Sequence, residues 1–174
     1  MTDKKNIERD LSSLIERGGV HYNVPGTNSK ELIAAVISLL PSVPFLDPKI
    51  LYREILAREA LVSTGIGRGI ALPHPRNPML GEDGDFPASS SLAATSPLVA
   101  VAFPTQPLDW NTPDGSKVHT VFLIVSSSTK QHLNTLSRIN FLCQQEKFYS
   151  LIKERSSEAE IIAAIREAET IWKE

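Results

Sequence analysis

With 174 residues, 41% of them hydrophobic, the chain has enough apolar material for one full core and too little length for two comfortable domains. The 18 Lys+Arg against 20 Asp+Glu give a net charge of −2 with no basic block, which argues against a nucleic-acid surface. A single cysteine, Cys143, excludes an intramolecular disulfide and a multi-cysteine metal site and fits a reducing compartment. The first residues, Met-Thr-Asp-Lys-Lys-Asn, form no apolar signal region, and no run of about 18 apolar residues occurs, so the expectation is a soluble cytoplasmic domain spanning 1–174.

Apolar residues Ile7, Leu11, Leu14 and Ile15 recur at helical spacing over 6–17, and Gly18-Gly19 stops the pattern. Residues 20–24 alternate as a first strand, with a turn at Pro25-Gly26. Asn28 and Glu31 have capping-box spacing, Ser29 is an alternative cap, and Leu32, Ile33, Val36, Ile37 and Leu40 form one apolar face before Pro41. A third helix is predicted over about 48–61, burying Leu51, Tyr52, Ile55 and Leu56 and leaving Arg53, Glu54 and Arg58 on the other side. The serine-containing stretch at about 79–97 reads as a mobile surface insertion. Beyond it, residues 98–103 read as a buried strand broken by Pro104 and Pro107, and residues 109–115 as a turn. A β-branched strand is predicted over 118–125. Residues 126–129 offer several N-caps for a helix carrying His132, whose buried face is expected from Leu133, Leu136, Ile139 and Cys143. Helices over about 146–155 and from Ser157 to about 169 complete the chain, the last opened by a Ser157–Glu160 box. Strands interleaved with helices argue an α/β fold, expected as three α/β/α layers around a mixed central sheet.

Chemistry concentrates in the run Arg58-Glu59-Ala60-Leu61-Val62-Ser63-Thr64-Gly65-Ile66-Gly67-Arg68-Gly69-Ile70-Ala71-Leu72-Pro73-His74. Pro75 pushes His74 toward an extended backbone and Pro73 fixes its own φ, so the imidazole stands on a stiff support. Gly65, Gly67 and Gly69 permit positive φ, the means by which short loops turn amides toward an anion. A histidine beside such a loop suggests phosphate. A neutral imidazole is nucleophilic near pH 7, where its ordinary pKa of about 6.5 requires no strong activating base. His132, in the first turn of a helix, lies where the amide ends disfavour imidazolium, so it is expected to stay neutral.

This run resembles the phosphohistidine motif of the enzyme IIA domains of the bacterial sugar phosphotransferase system, in the fructose/mannitol class that includes the nitrogen-regulatory IIA proteins. Arg58, Glu59, Ser63, Thr64, Gly65, Ile66, Gly67, Gly69, Ile70, Ala71, Pro73 and His74 match it, and the later His132-Leu133 pair after a hydrophobic strand is the second mark. The resemblance implies a phosphocarrier that accepts a phosphoryl group on His74, at Nε2, from an HPr-like donor, with no metal or other cofactor. It implies that His132 lies beside His74 without itself being phosphorylated, and that Arg58 faces the transferring group. Loop amides around Gly65, Gly67 and Gly69 are expected to help bind phosphate. Thr64 and Ser63 either donate hydroxyl hydrogens there or cap the turn. By helical spacing alone Arg58 reads instead as an i, i+4 surface partner of Glu54, and Arg68, where relatives often carry a small or polar residue, adds a cation beside the site.

The resemblance further implies that the phosphoryl group passes to a IIB domain and sugar, as in fructose or mannitol uptake, or that its presence serves as a nitrogen or carbon regulatory signal. A phosphorylation-independent binding module is the alternative from another class. The glycine spacing lacks the Lys-Ser/Thr of a nucleotide loop, His21 and His119 read as structural, Cys143 reads as core, and the four histidines show no metal-ligand spacing.

Overall fold

The computed structural model describes residues 10–43, 46–78 and 97–172. In chain order these form α1 (Leu11–Gly18), β1 (Val20–Val24), α2 (Ser29–Leu39), α3 (Pro48–Glu59), β2 (Gly65–Gly67) and β3 (Ile70–Ala71). After them come β4 (Leu98–Pro104), β5 (Thr120–Val125), α4 (Thr129–Gln144), α5 (Glu146–Lys153) and α6 (Glu158–Trp172). Ile7 and nearly all of the expected insertion at 79–97 lie outside the described residues.

The strands form one mixed sheet in the order β1-β4-β5-β3-β2. β1 runs parallel to β4 and β3 parallel to β5, while the β4–β5 and β2–β3 pairs are antiparallel. Every residue of β4 and β5 is buried, as their unbroken apolar runs require of strands covered on both faces. Alternation divides their side chains between two cores. Val99, Val101, Phe103, Phe122 and Ile124 meet α1, α4, α5 and α6 on one face. Leu98, Ala100, Ala102, Val121, Leu123 and Val125 meet α2 and α3 on the other. The expected three-layer α/β/α arrangement around a mixed sheet is therefore the observed one.

Local chemistry sets the helix ends. The Asn28 side chain accepts from Glu31 N at 3.0 Å, so Asn28 and not Ser29 caps α2, while the Glu31 carboxylate turns to Thr27. Asp47 caps α3 with Pro48 following it, and Ser128 caps α4 by accepting from Gln131 N at 3.1 Å. Ser157 and Glu160 make the reciprocal box that opens α6. Asp10 makes no side-chain cap on α1; instead Glu169, buried on α6, accepts from Ser12 N at 3.0 Å and Ser12 Oγ at 2.7 Å.

Four expectations change. Leu133 is 60% exposed, because the buried stripe of α4 runs through Thr135, Ile139, Leu142 and Cys143, and Leu133 lies about 200° of helix rotation from Thr135. Val118 precedes β5 and bridges Leu108 across the loop. The last helix continues to Trp172, and α3 stops at Glu59.

Gly18 shows how tightly α1 lies on the sheet, since a Cβ there would stand 2.1 Å from Val99 O and 2.7 Å from Ala100 N. Backbone on the opposing side cannot yield as a flexible side chain can. We expect Gly18→Ala to cost about 3 kcal/mol of unfolding free energy. Urea denaturation checks this, and an unchanged midpoint would show that α1 lifts from β4 at little cost.

Candidate functional site

The short strand β3 aims the histidine. Ile70 and Ala71 pair in parallel with Thr120 and Val121, and Ile124 N donates to Pro73 O at 3.0 Å, so β5 continues to hold the chain beyond the last residue of β3. Leu72 N donates to Thr64 O at 3.0 Å from the other side. His74 therefore leaves the sheet on a segment gripped on both flanks, at the same end as the loop that follows β5.

His74 is only 8% exposed, and its Nδ1 lies 2.6 Å from Leu72 O. A carbonyl oxygen can only accept, so Nδ1 carries the proton and Nε2 the lone pair. Burial pushes the His74 pKa below its ordinary value, the Leu72 carbonyl pulls it partly back, and the Arg58 charge lowers it further.

His132 stands in the first turn of α4, its ring centroid 4.7 Å from that of His74 and tilted by 54°. Its Nδ1 is 3.2 Å from the hydroxyl of Ser126, a residue only 2% exposed. Burial, then the neighbouring His74 and Arg58, bring the His132 pKa down to about 4. Two neutral imidazoles thus face one another near neutral pH, within the field of one guanidinium.

Arg58, near the C-terminal end of α3, donates from Nη1 to Val62 O at 2.8 Å. Glu54, its expected i, i+4 partner, is instead paired with the adjacent Arg53 at 3.3 Å. The next residue, Glu59, ties the region together. Its carboxylate accepts from Thr64 N at 2.9 Å, Thr64 Oγ1 at 2.5 Å and Trp110 Nε1 at 2.9 Å.

In the glycine loop, whose amides are expected to help bind phosphate, three backbone N–H groups have partners within the protein. Gly65 N donates to Ser63 Oγ, Arg68 N to Asp114 Oδ2 and Gly69 N to Ser116 Oγ, at 3.1, 2.9 and 3.0 Å. Ser63 Oγ in turn donates to Trp110 O at 2.6 Å. The hydroxyl hydrogen of Ser63 thus goes to the 110–119 loop and that of Thr64 to Glu59 at the end of α3. Gly67 and Gly69 have φ of +87° and +77°, and a Cβ on Gly69 would stand 2.3 Å from His119 Cδ2. The glycines admit a tight hairpin and close approach by the 110–119 loop.

Arg68 turns away from the site. Its guanidinium lies 3.8 Å from the Tyr149 ring centre, pairs with Glu146 at 2.7 Å and donates to Cys143 O at 3.3 Å. The cation expected beside His74 instead ties the hairpin to the α4–α5 junction. His119 is held through Nε2 to Arg68 O at 3.0 Å, and His21 through Nε2 to Gly18 O at 2.9 Å. Cys143 is buried, and burial pushes its thiol up to about 12. Among the described residues no group of three or more His, Cys, Asp or Glu side chains is placed to hold a metal ion, and no helix is long and apolar enough to cross a membrane.

Ser126, Glu59 and Trp110 were not singled out as site residues by sequence reasoning. Ser126 read as one of several helix caps, Glu59 as a motif position without a partner, and Trp110 as part of a turn. Glu59 and Trp110 meet across 51 residues, a contact that no local spacing announces, whereas Ser126 lies only six residues from His132 and is one of several equivalent serines before the helix.

The depressed histidines make stability depend on pH. The unfolded chain takes up protons near pH 6.5 while folded His132 resists until about 4, so this contribution is complete above 6.5 and is lost as pH falls toward 4. His74 acts in the same direction. We expect His132→Gln to lose roughly 1 kcal/mol less than the unaltered protein between pH 7 and pH 5, with allowance for the exposed part of the ring. Urea titrations at the two pH values check this; equal losses would remove His132 from the acid response.

The sequence model of the family described as "Phosphoenolpyruvate-dependent sugar phosphotransferase system, EIIA 2" matches residues 13–168. A nitrogen regulatory protein of Pseudomonas aeruginosa is 30% identical over 132 residues, which cover 74% of this chain and 77% of that protein. The fructose-specific EIIABC component of Bacillus subtilis is 27% identical over 160 residues, which cover 90% of this chain but 23% of that protein, so the chain spans about a quarter of its length. Among solved structures, the nitrogen regulatory protein IIA-Ntr of Neisseria meningitidis superposes with a TM-score of 0.72 at 22% identity, covering 89% of this chain and 98% of that one.

Proposed function

The chain belongs to the EIIA 2 family of the phosphoenolpyruvate-dependent sugar phosphotransferase system, and from that premise we propose that His74 carries the phosphoryl group, accepting it at Nε2 from an HPr-like phosphocarrier. The observation that carries this reading is the 2.6 Å contact between His74 Nδ1 and Leu72 O, because it commits one ring nitrogen to the backbone and leaves the other as the lone-pair nucleophile.

In the proposed step, Nε2 attacks phosphorus in line. The bond from phosphorus to the donor's nitrogen breaks, and that nitrogen keeps the electron pair. His74 then bears a substituent on each ring nitrogen and a formal positive charge on the ring, which the Leu72 carbonyl stabilises. A phosphoryl group arriving on a nitrogen is already activated, so transfer requires position and charge compensation more than further chemistry. Arg58 supplies a permanent cation and His132 a neutral hydrogen-bond donor toward the three equatorial oxygens. Thr64, Gly65, Gly67 and Gly69 contribute in this reading by shaping the hairpin that presents His74. Their role as direct phosphate ligands is the weaker alternative, given where the amides of Gly65 and Gly69 and the Thr64 donors are spent.

Phospho-His74 is an intermediate that passes its group to a IIB-type acceptor, or whose occupancy is the signal. Likeness to the nitrogen regulatory protein supports the regulatory branch, and likeness to the fructose-specific component supports sugar uptake. The cytoplasm, where phosphoenolpyruvate is made, is the compartment this assigns.

Mixing the protein with phosphoenolpyruvate, enzyme I and HPr should add a single acid-labile group of about 80 Da, the mass of one phosphoryl on a nucleophilic side chain, and His74→Ala should abolish it. Arg58→Ala and His132→Ala should keep His74 reactive but slow the transfer roughly 100-fold each, the usual cost of one lost electrostatic partner. No mass gain with any donor pair would favour a regulator that acts by contact alone.

A further inference from the structure

We propose that Ser126 is a positioning residue that holds His132 as the tautomer with its proton on Nε2. The inference rests on the phosphocarrier reading for its purpose but on geometry for its substance. Ser126 follows β5 directly, is 2% exposed, and brings its Oγ to 3.2 Å from His132 Nδ1. His132 stands six residues on, with its backbone N–H donating to Ser128 O at 2.9 Å, so helix and strand end both fix the ring's approach to the hydroxyl.

A neutral imidazole has one donor and one acceptor, and the partner of one nitrogen decides the role of the other. If the Ser126 hydroxyl donates to Nδ1, Nε2 keeps its hydrogen and presents a donor toward the His74 side. If Nδ1 donates to the hydroxyl instead, Nε2 presents a lone pair. The first arrangement suits a dianionic phosphoryl group on His74, whose ring lies 4.7 Å away centre to centre. The second sets a lone pair against three negative oxygens.

No buried side-chain nitrogen or oxygen among the described residues lacks a partner, so the Ser126 hydroxyl is satisfied where it stands. Being a rotor, it can also turn to accept from Nδ1 if His132 becomes protonated beside the phosphoryl group. Ser126 thus serves the ring in either charge state without moving the backbone. Nothing in the run 126–129 distinguishes this serine from its neighbours by sequence; only the fold sets it behind the ring.

The test reads the tautomer directly on the free protein. Ring nitrogen chemical shifts of His132 at pH 7.5, from 15N-labelled full-length protein, should show Nε2 protonated. In Ser126→Ala the resonances should move toward a mixture of tautomers, with phosphorylation of His74 by HPr slowed about tenfold at saturating donor and the donor KM little changed. Ser126→Thr, which restores the hydroxyl, should recover both. An Nδ1-protonated ring in the unaltered protein, or a Ser126→Ala protein with the same nitrogen shifts and rate, would overturn the proposal. Because the shifts need no carrier, their failure is distinct from failure of the phosphocarrier reading, which a missing mass gain on the unaltered protein would show. If Ser126→Ala failed to fold, Ser126→Cys, which keeps the size but donates weakly, should show the same drift in tautomer, and an unchanged ring there would equally overturn it.

Discussion

Everything at the candidate site depends on the parallel pairing of β3 with β5 and its continuation through the hydrogen bond from Ile124 N to Pro73 O. Parallel strands end on the same side, so the segment carrying His74 and the segment leading to Ser126 and His132 emerge together. The third contributor, Arg58, reaches the same place from α3, on the opposite side of the sheet from α4. A three-layer fold thus gathers one residue from each of two helices and one from a strand end, at a seam where the polar groups find both shelter and access. Neither helix layer alone supplies the set. The antiparallel β4–β5 pair holds the seam rigid, since both strands are buried along their whole length.

Shelter has an electrostatic consequence. Burial disfavours imidazolium at both histidines, and each is further opposed by Arg58. A site of two charged imidazoles and a guanidinium would attract an anion strongly, yet would have no nucleophile. The observed balance keeps the lone pair and leaves Arg58 as the fixed cation. The Leu72 carbonyl opposes the trend at His74 by drawing its proton-bearing nitrogen toward the backbone, which leaves the lone pair on Nε2.

Much of this was legible in the chain. The all-buried runs of β4 and β5, the caps at Asn28 and Ser157, and the proline-flanked His74 each carry their reason locally. The resemblance of the motif brought His74, His132 and Arg58 forward together. What sequence did not reveal were matters of long-range contact. The glycine triplet permits both an amide cradle and a tight hairpin, and the choice lies with Asp114 and Ser116, more than forty residues on, which take the amides of Arg68 and Gly69. Arg68 looked like an active-site cation because its neighbours in sequence are site residues. A positive φ of 55° and the faces of Tyr149 and Glu146 turn it the other way. Leu133 is apolar and helical, yet the angular position of Thr135 and Ile139 decides which stripe of α4 is covered.

The spent amides suit a carrier better than an open cradle would. An enzyme that stores a phosphoryl group only to pass it on gains nothing by binding the stored state as tightly as the transition state. A nest of free N–H groups around phospho-His74 would deepen that intermediate and slow its departure. With the donors of Thr64, Gly65 and Gly69 committed to Glu59, Ser63 and Ser116, the proposed transfer would draw its stabilisation from one guanidinium and one imidazole. On this argument, the hydrogen bonds that occupy the amides of Gly65 and Gly69 favour a proposed transfer that is reversible.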